Sequence, residues 1–254
     1  MAHYQVILAY DGTDFQGFQR QNGVRTVQGE VEKVLAHLGW QEETILSAGR
    51  TDTGVHASGQ VLAFQLDWPH SPEKLCSAMN ALLPADVSAR GAAVVDPSFH
   101  PRFDATSREY CYRVLLDPMR DCLLERHQWR VYHLLQPDLL QQAASLFVGR
   151  HDFKKYGSPP RPSSSTVREI TLSHWVVNGQ QLQYHVRANA FLYHMVRRLV
   201  FIQMAVATGK VDLHRLSDTL EEGVPDHPGI APAHGLELVK VEYGEKSLAS
   251  TGNN

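Results

Sequence analysis

The chain has 254 residues, 43% of them hydrophobic and 20% charged, with a formal net charge of −3, the composition of a soluble globule of one large domain or two smaller ones. No apolar run reaches membrane-spanning length, and the opening "MAHYQVILAY" reads as a strand rather than a signal peptide. The three cysteines (Cys76, Cys111 and Cys122) form no CxxC pair, which fits a reducing cytoplasm and disfavours a disulfide framework or a zinc ribbon. The mild acidity argues against a non-specific nucleic-acid binder but leaves room for a local basic groove.

In chain order, Tyr4, Val6, Leu8 and Tyr10 alternate on one face and predict a strand over 4–10. A glycine-rich loop, "DGTDFQGFQRQNG" (11–23), follows. Thr26 then caps a helix with a stripe of Val27, Val31, Val34, Leu35 and Leu38, ending at Gly39. A short strand at about 44–48 enters the segment "SAGRTDTGVHASGQV" (47–61), and "VLAFQL" (61–66) leaves it. The spacing predicts that this loop joins the two central strands of the first half. Ser71-Pro72 opens a helix with Leu75, Met79, Leu82 and Leu83 inward, and a strand follows at 87–95. The second half repeats the order. It has a strand at 108–116, a helix from Pro137 through Leu140, Ala144 and Phe147, and a Pro/Ser-rich loop at 156–166 read as mobile. A hairpin around Asn178-Gly179 comes next. A helix with Phe191, Met195, Leu199, Ile202 and Val206 in register, a short helix from Asp212 to Gly223 and a last strand at 235–243 complete it. Each half reads β-α-β-β-α-β, the split βαβ pattern. The expected fold is α+β: two ferredoxin-like units, 1–104 and 105–245, with antiparallel sheets joined around a central cleft, and a flexible tail at 246–254.

Asp52 lies between Gly49 and Gly54, two residues from Arg50. An Asp in "TDTG" can simply start a turn. A carboxylate kept charged by a nearby guanidinium can instead serve as nucleophile or base. His56 lacks a second ligand at metal-binding spacing and reads as a structural or substrate-contacting residue. The 10–21 loop lacks the acid run of a calcium site. Its Phe15, Phe18 and Arg20 fit either a loop lying on a planar or phosphorylated ligand or a connector with buried aromatics. Arg102, Arg108 and Arg113 interleave with Tyr110 and Tyr112, the combination with which RNA is recognised, although tyrosines on a strand are usually core. Arg187, Arg197 and Arg198 flank an apolar helix. There Arg197 either snorkels or pairs with an acid, for which Asp52 is the candidate.

Taken together, "AGRTDTGVHASGQV", "YDGTDFQGFQRQ", "FHPRFDATSREYCYRV", "RANAFLYHMVRRLV" and "APAHGLELVKVEY" resemble, in chain order, the motifs of the TruA family of tRNA pseudouridine synthases. Phe18 stands where that family commonly has Trp, and Glu237 where an aromatic is frequent. The resemblance implies a cytoplasmic, homodimeric enzyme that needs no cofactor or metal. Its substrate would be tRNA rather than DNA, with uridine converted to pseudouridine at positions 38, 39 and 40 of the anticodon stem-loop. It implies that Asp52 is the catalytic aspartate, acting as nucleophile or as base. Tyr110 matches the active-site tyrosine, Arg197 the arginine that pairs with the aspartate, Arg50 the residue that displaces the target base, and Leu236 the wall of the uracil pocket. Arg20, Arg102 and Arg108 would meet phosphates. The alternatives are a non-catalytic tRNA-binding module, and a glycosidase-like hydrolase for which no second acid stands out.

Overall fold

The computed structural model describes residues 1–132, 135–161, 163–222 and 229–244; the expected tail at 246–254 and Gly223 lie outside them. The elements are β1 (Ala2–Tyr10), α1 (Val27–His37), β2 (Leu46–Ser47), β3 (His56–Leu66), α2 (Pro72–Leu82) and β4 (Val87–Val94). They continue with β5 (Ala105–Leu116), β6 (Trp129–Val131), α3 (Pro137–Leu146), β7 (Gly149–Asp152), β8 (Val167–Asn178) and β9 (Gln181–Ala188). Helices α4 (Met195–Ala207) and α5 (Leu213–Glu222) and strand β10 (Leu236–Tyr243) complete the chain. The class is α+β with predominantly antiparallel pairing, as the split βαβ pattern predicts; β5–β6 pairs parallel. The chain falls into two compact units, Met1–Thr106 with the chain from Leu238 onward, and Ser107–Glu237. No helix among the described residues is long and apolar enough to cross a membrane.

In the first unit the strands run β4-β1-β3-β10. The alternation of β1 is real: Tyr4, Val6, Leu8 and Tyr10 are all buried. The Thr26 side chain accepts from the Gly29 amide and starts α1, which buries Val27, Val31, Val34 and Leu35. Leu75 and Met79 do the same for α2, and each such fully buried side chain contributes roughly 1.5–3 kcal/mol relative to exposure. Asn80 of α2 clips onto β4, donating to the Ala89 carbonyl and accepting from its amide at 2.8 and 2.7 Å.

Three expectations for this unit change. Leu82, the last residue of α2, is 49% exposed rather than inward. The helix closes there with Leu83 N donating to Met79 O at 2.8 Å, and the chain turns extended. Strand β2 is two residues long and pairs only with Leu62 and Ala63, so it is no central strand. Strand β3 starts at His56, five residues before the point predicted. Ser58 and Gly59 look like loop residues, yet Gly59 is bare because β10 passes over it. A Cβ at this position would lie 2.1 Å from the Val239 carbonyl oxygen.

In the second unit the order is β5-β9-β8-β7, with β6 added to β5. Tyr112, Val114, Leu182, Tyr184, Val186 and Trp175 are buried on this sheet. Ser173 Oγ donates to Ala144 O of α3 at 2.7 Å, and Trp175 Nε1 donates to Gln203 Oε1 of α4 at 2.7 Å. These two bonds fix the helices on that face. The hairpin turns one residue later than expected, on Gly179-Gln180, with Asn178 paired to Gln181 and Gly179 at φ +58°. Helix α4 begins at Met195, not at 191, because His194 takes φ +66° immediately before it. Phe191 therefore leaves the predicted helical stripe. Strands β6 and β7 are too short to carry an alternating pattern and were not legible in the sequence.

Candidate active site

In the first unit, residues 48–55 form a loop tied at both ends. Ala48 N donates to Val61 O at 2.8 Å, Gln60 Nε2 to Gly49 O at 3.0 Å, and Val55 N to Asp52 O at 3.1 Å. The last bond closes a turn that Gly54 permits at φ +77°. The loop is backed by the 11–23 segment, which the sequence alone does not place beside it. Phe18 N donates to Thr51 O at 3.0 Å, and the hydroxyls of Tyr10 and Thr51 meet at 2.8 Å in a buried pair. Gly17, at φ +83°, lies so close that a Cβ there would be 3.0 Å from Thr51 O and 3.3 Å from Thr53 N. A Cβ on Gly12 would be 2.0 Å from Val55 O. Asp52 thus sits half-buried on a backbone clamped from behind, with Arg50 exposed beside it.

Within the 11–23 loop the aromatics face the core, whereas Thr13, Asp14, Gln16 and residues 19–23 are exposed. Phe15 and Phe18 are buried, and the Arg25 guanidinium lies 4.1 Å over Phe15 while donating twice to Asp86 at 2.6 and 2.8 Å. Arg20 donates to Glu32, a buried carboxylate, at 2.7 Å and to Glu43 O at 3.1 Å. His56 is buried. Its Nδ1 accepts from Gly12 N at 3.1 Å and stands 3.2 Å from Asp11 Oδ1, which ties the start of β3 to the end of β1.

In the second unit, Tyr110 on β5 pairs with Val186 and meets the Phe191 ring edge-on at 5.1 Å. Tyr112, two residues on, is core. Its hydroxyl donates to Pro232 O at 2.8 Å, and its ring fills the space that a Cβ on Gly235 would need. Arg197 Nε donates to Ala231 O at 2.8 Å, and Ala231 N returns a bond to Arg197 O at 3.1 Å. Together these bonds fasten the segment before β10 to α4 and set Leu236, which is buried, at the start of the strand. Burial holds the Tyr112 hydroxyl well above its usual range, with Arg197 pulling the other way, and burial lowers His234. Burial pushes the Cys111 thiol up to about 11. Arg108 donates to Asn189 O at 3.0 Å. The Pro/Ser-rich loop is pinned at its start, where Ser158 and Tyr193 exchange backbone bonds at 3.3 and 3.0 Å.

The family model described as tRNA pseudouridine synthase matches residues 6–104 and 143–244. The chain belongs to the tRNA pseudouridine synthases. It is 39% identical over 246 residues to the tRNA pseudouridine synthase A of Dictyoglomus turgidum, covering 96% of this chain and all of that one. The synthase A of Bacillus pumilus is 37% identical over 93% of this chain and 97% of its own, and that of Colwellia psychrerythraea 35% over 95% and 94%. The protein is therefore an enzyme, an isomerase acting on tRNA, and the non-catalytic and hydrolase readings fall away.

Within this pseudouridine synthase, the sequence-predicted residues meet different surroundings. Asp52 and Arg50 share the clamped loop, and Tyr110, Arg197 and Leu236 lie in the second unit. Arg20 is bound to Glu32. The unusual Glu237 is matched by a direct ion pair with Arg113, so the charge at that family-variant position is balanced from β5. Sequence reasoning missed Tyr10 and Asp11 as supports of the loop. Both lie within the "YDGTDFQGFQRQ" motif, which was the available signal.

Proposed function

We propose that this synthase converts uridine to pseudouridine at positions 38, 39 and 40 of the tRNA anticodon stem-loop, with Asp52 as the reacting carboxylate. The reaction breaks the bond from C1′ to N1 and forms one from C1′ to C5; N1 gains a proton and C5 loses one, so atoms and electrons balance without a redox partner. Asp52 acts either by attacking C1′ or by removing a proton in an elimination, and both roles need an ionised carboxylate at a fixed position. The observation that supports this most is the clamp on its backbone by Tyr10, Gly17 and Phe18.

A base in a stem has to leave its stack before it can be isomerised. Arg50, exposed on the same loop, is the residue we assign to the space it vacates. Tyr110, Arg197 and Leu236 are assigned as contacts for the uridine, and Arg108 for phosphate. Arg20 is the weakest of the phosphate ligands, since Glu32 already balances much of its charge. We further propose that the enzyme is cytoplasmic and homodimeric. The test is Asp52→Asn with unmodified tRNA. Pseudouridine formation, read by chemical mapping, is expected to fall by at least about 10²-fold while tRNA affinity is retained. Turnover near that of the unaltered enzyme would remove Asp52 from the chemistry.

A further inference from the structure

Single exposed apolar side chains are ordinary on protein surfaces, but Phe103 is held in place rather than left loose. Its ring is 76% exposed and lies 4.2 Å from the His100 imidazole at a 41° tilt. The turn that carries it is locked. His100 N donates to Asp104 Oδ2 at 2.7 Å, Asp104 N to His100 O at 3.1 Å, and Arg102 N to His100 Nδ1 at 3.1 Å. Beneath it, Phe99 is buried edge-on to Tyr243 at 5.1 Å, and its carbonyl accepts from His3 Nε2 at 3.0 Å. The Tyr243 hydroxyl donates to Pro101 O at 2.8 Å. The ring is thus anchored through its backbone to β1 and β10.

We propose that Phe103, backed by His100, is a stacking platform for one unpaired base of the tRNA substrate, with Arg102 reaching the adjoining phosphate. A π-face offered to solvent, with an arginine next to it in the chain, suits a splayed nucleotide: stacking for the base and charge for its phosphate. A protein partner would need a contiguous apolar patch. Here the neighbours Asp96, Ser98, Arg102 and Asp104 are polar and exposed. Because the Arg102 amide bonds to Nδ1, that nitrogen serves as an acceptor, and the bond holds the imidazole against the phenyl ring at its 41° tilt. The proposal rests on tRNA being the substrate.

Binding and turnover of unmodified tRNA by the full-length chain test it. Phe103→Ala is expected to raise Kd and KM roughly 5- to 100-fold, the range of one base–aromatic stack, with the loss falling on KM rather than kcat and with Tm held. Phe103→Tyr is expected to retain affinity. Phe103→Leu, similar in size but without a π-face, is expected to behave like the alanine variant. Arg102→Ala should lower the slope of log K against log salt by about one, whereas Phe103→Ala leaves that slope alone. An alanine variant that binds normally, a leucine variant as good as tyrosine, or a change in oligomeric state on losing the ring would each overturn the platform. Failure of the unaltered protein to bind tRNA would instead bring down the substrate reading, and the platform with it.

Discussion

At the scale of single residues, the glycines near Asp52 do different work from one another. Gly49 has open space where a Cβ would stand, with nothing within 4 Å. The close approach belongs to Gly17, from a separate motif, whose φ of +83° and 3.0 Å clearance from Thr51 O leave no space for a side chain. Gly17→Ala is therefore expected to cost about 1–2 kcal/mol from left-handed backbone strain alone, and to push on the loop that carries Asp52. Gly49→Ala is expected to leave stability within about 0.5 kcal/mol. Paired urea titrations of the two variants check this, read as shifts of the midpoint at constant slope. Equal losses would mean that the clamp is not specific to Gly17.

At the scale of elements, most helices and strands were legible because their burial follows a simple period. Strand β1 alternates, and α1 keeps an apolar stripe behind a capping threonine. What was not legible has more than one cause: β6 and β7 are too short to carry a pattern, and elsewhere contact with a part of the chain far away in sequence decides. The sequence shows Gly59 as a break, whereas the structure makes it part of β3, with the β10 backbone against it. The obstacle to a side chain there is backbone, the Val239 carbonyl group at 2.1 and 2.7 Å, which cannot rotate away. Gly59→Ala is accordingly expected to separate β3 from β10 at a cost of about 3 kcal/mol or more. The measurement is thermal unfolding, with loss of soluble protein as the extreme outcome. A variant melting within a degree or two of the unaltered enzyme would contradict the close passage. The start of α4 has a local cause instead. Apolar spacing runs unbroken back to Phe191, but His194 at φ +66° ends the helix at Met195 and frees Phe191 to meet Tyr110.

At the scale of the whole molecule, stability is expected to depend on pH through histidines that burial keeps neutral. His185 lies on the sheet between Glu109, His174, Arg113, Gln183 and Cys111. Desolvation and the stacked His174 lower its pKa, outweighing the pull of Glu109. His234 is lowered chiefly by desolvation. A folded-state pKa below the unfolded value of about 6.5 means that the unfolded chain binds more protons. The stabilisation is then complete above that value and is lost as pH falls towards the folded pKa. Denaturation midpoints should fall between pH 7.5 and 5.5, and His185→Gln should flatten that fall. An unchanged pH slope in this variant would show that His185 does not contribute. The net charge of −3 bears on none of this, since binding RNA depends on where the arginines lie rather than on their sum.

The sequence by itself determined the class of fold, the order of most of the elements and, through motifs in chain order, the family. These depend on short-range periodicity and on residue types at fixed spacing, which one chain displays openly. It also marked Asp52, Tyr110 and Arg197 as the residues to examine. Only the tertiary structure decided how the Asp52 loop is held. Tyr10, Gly17 and Thr51 meet across some forty positions, and Phe15 and Phe18 turn inward to the core rather than towards a ligand. Such pairings are set by which backbones pack together, and packing between distant segments leaves no periodic trace in the segments themselves.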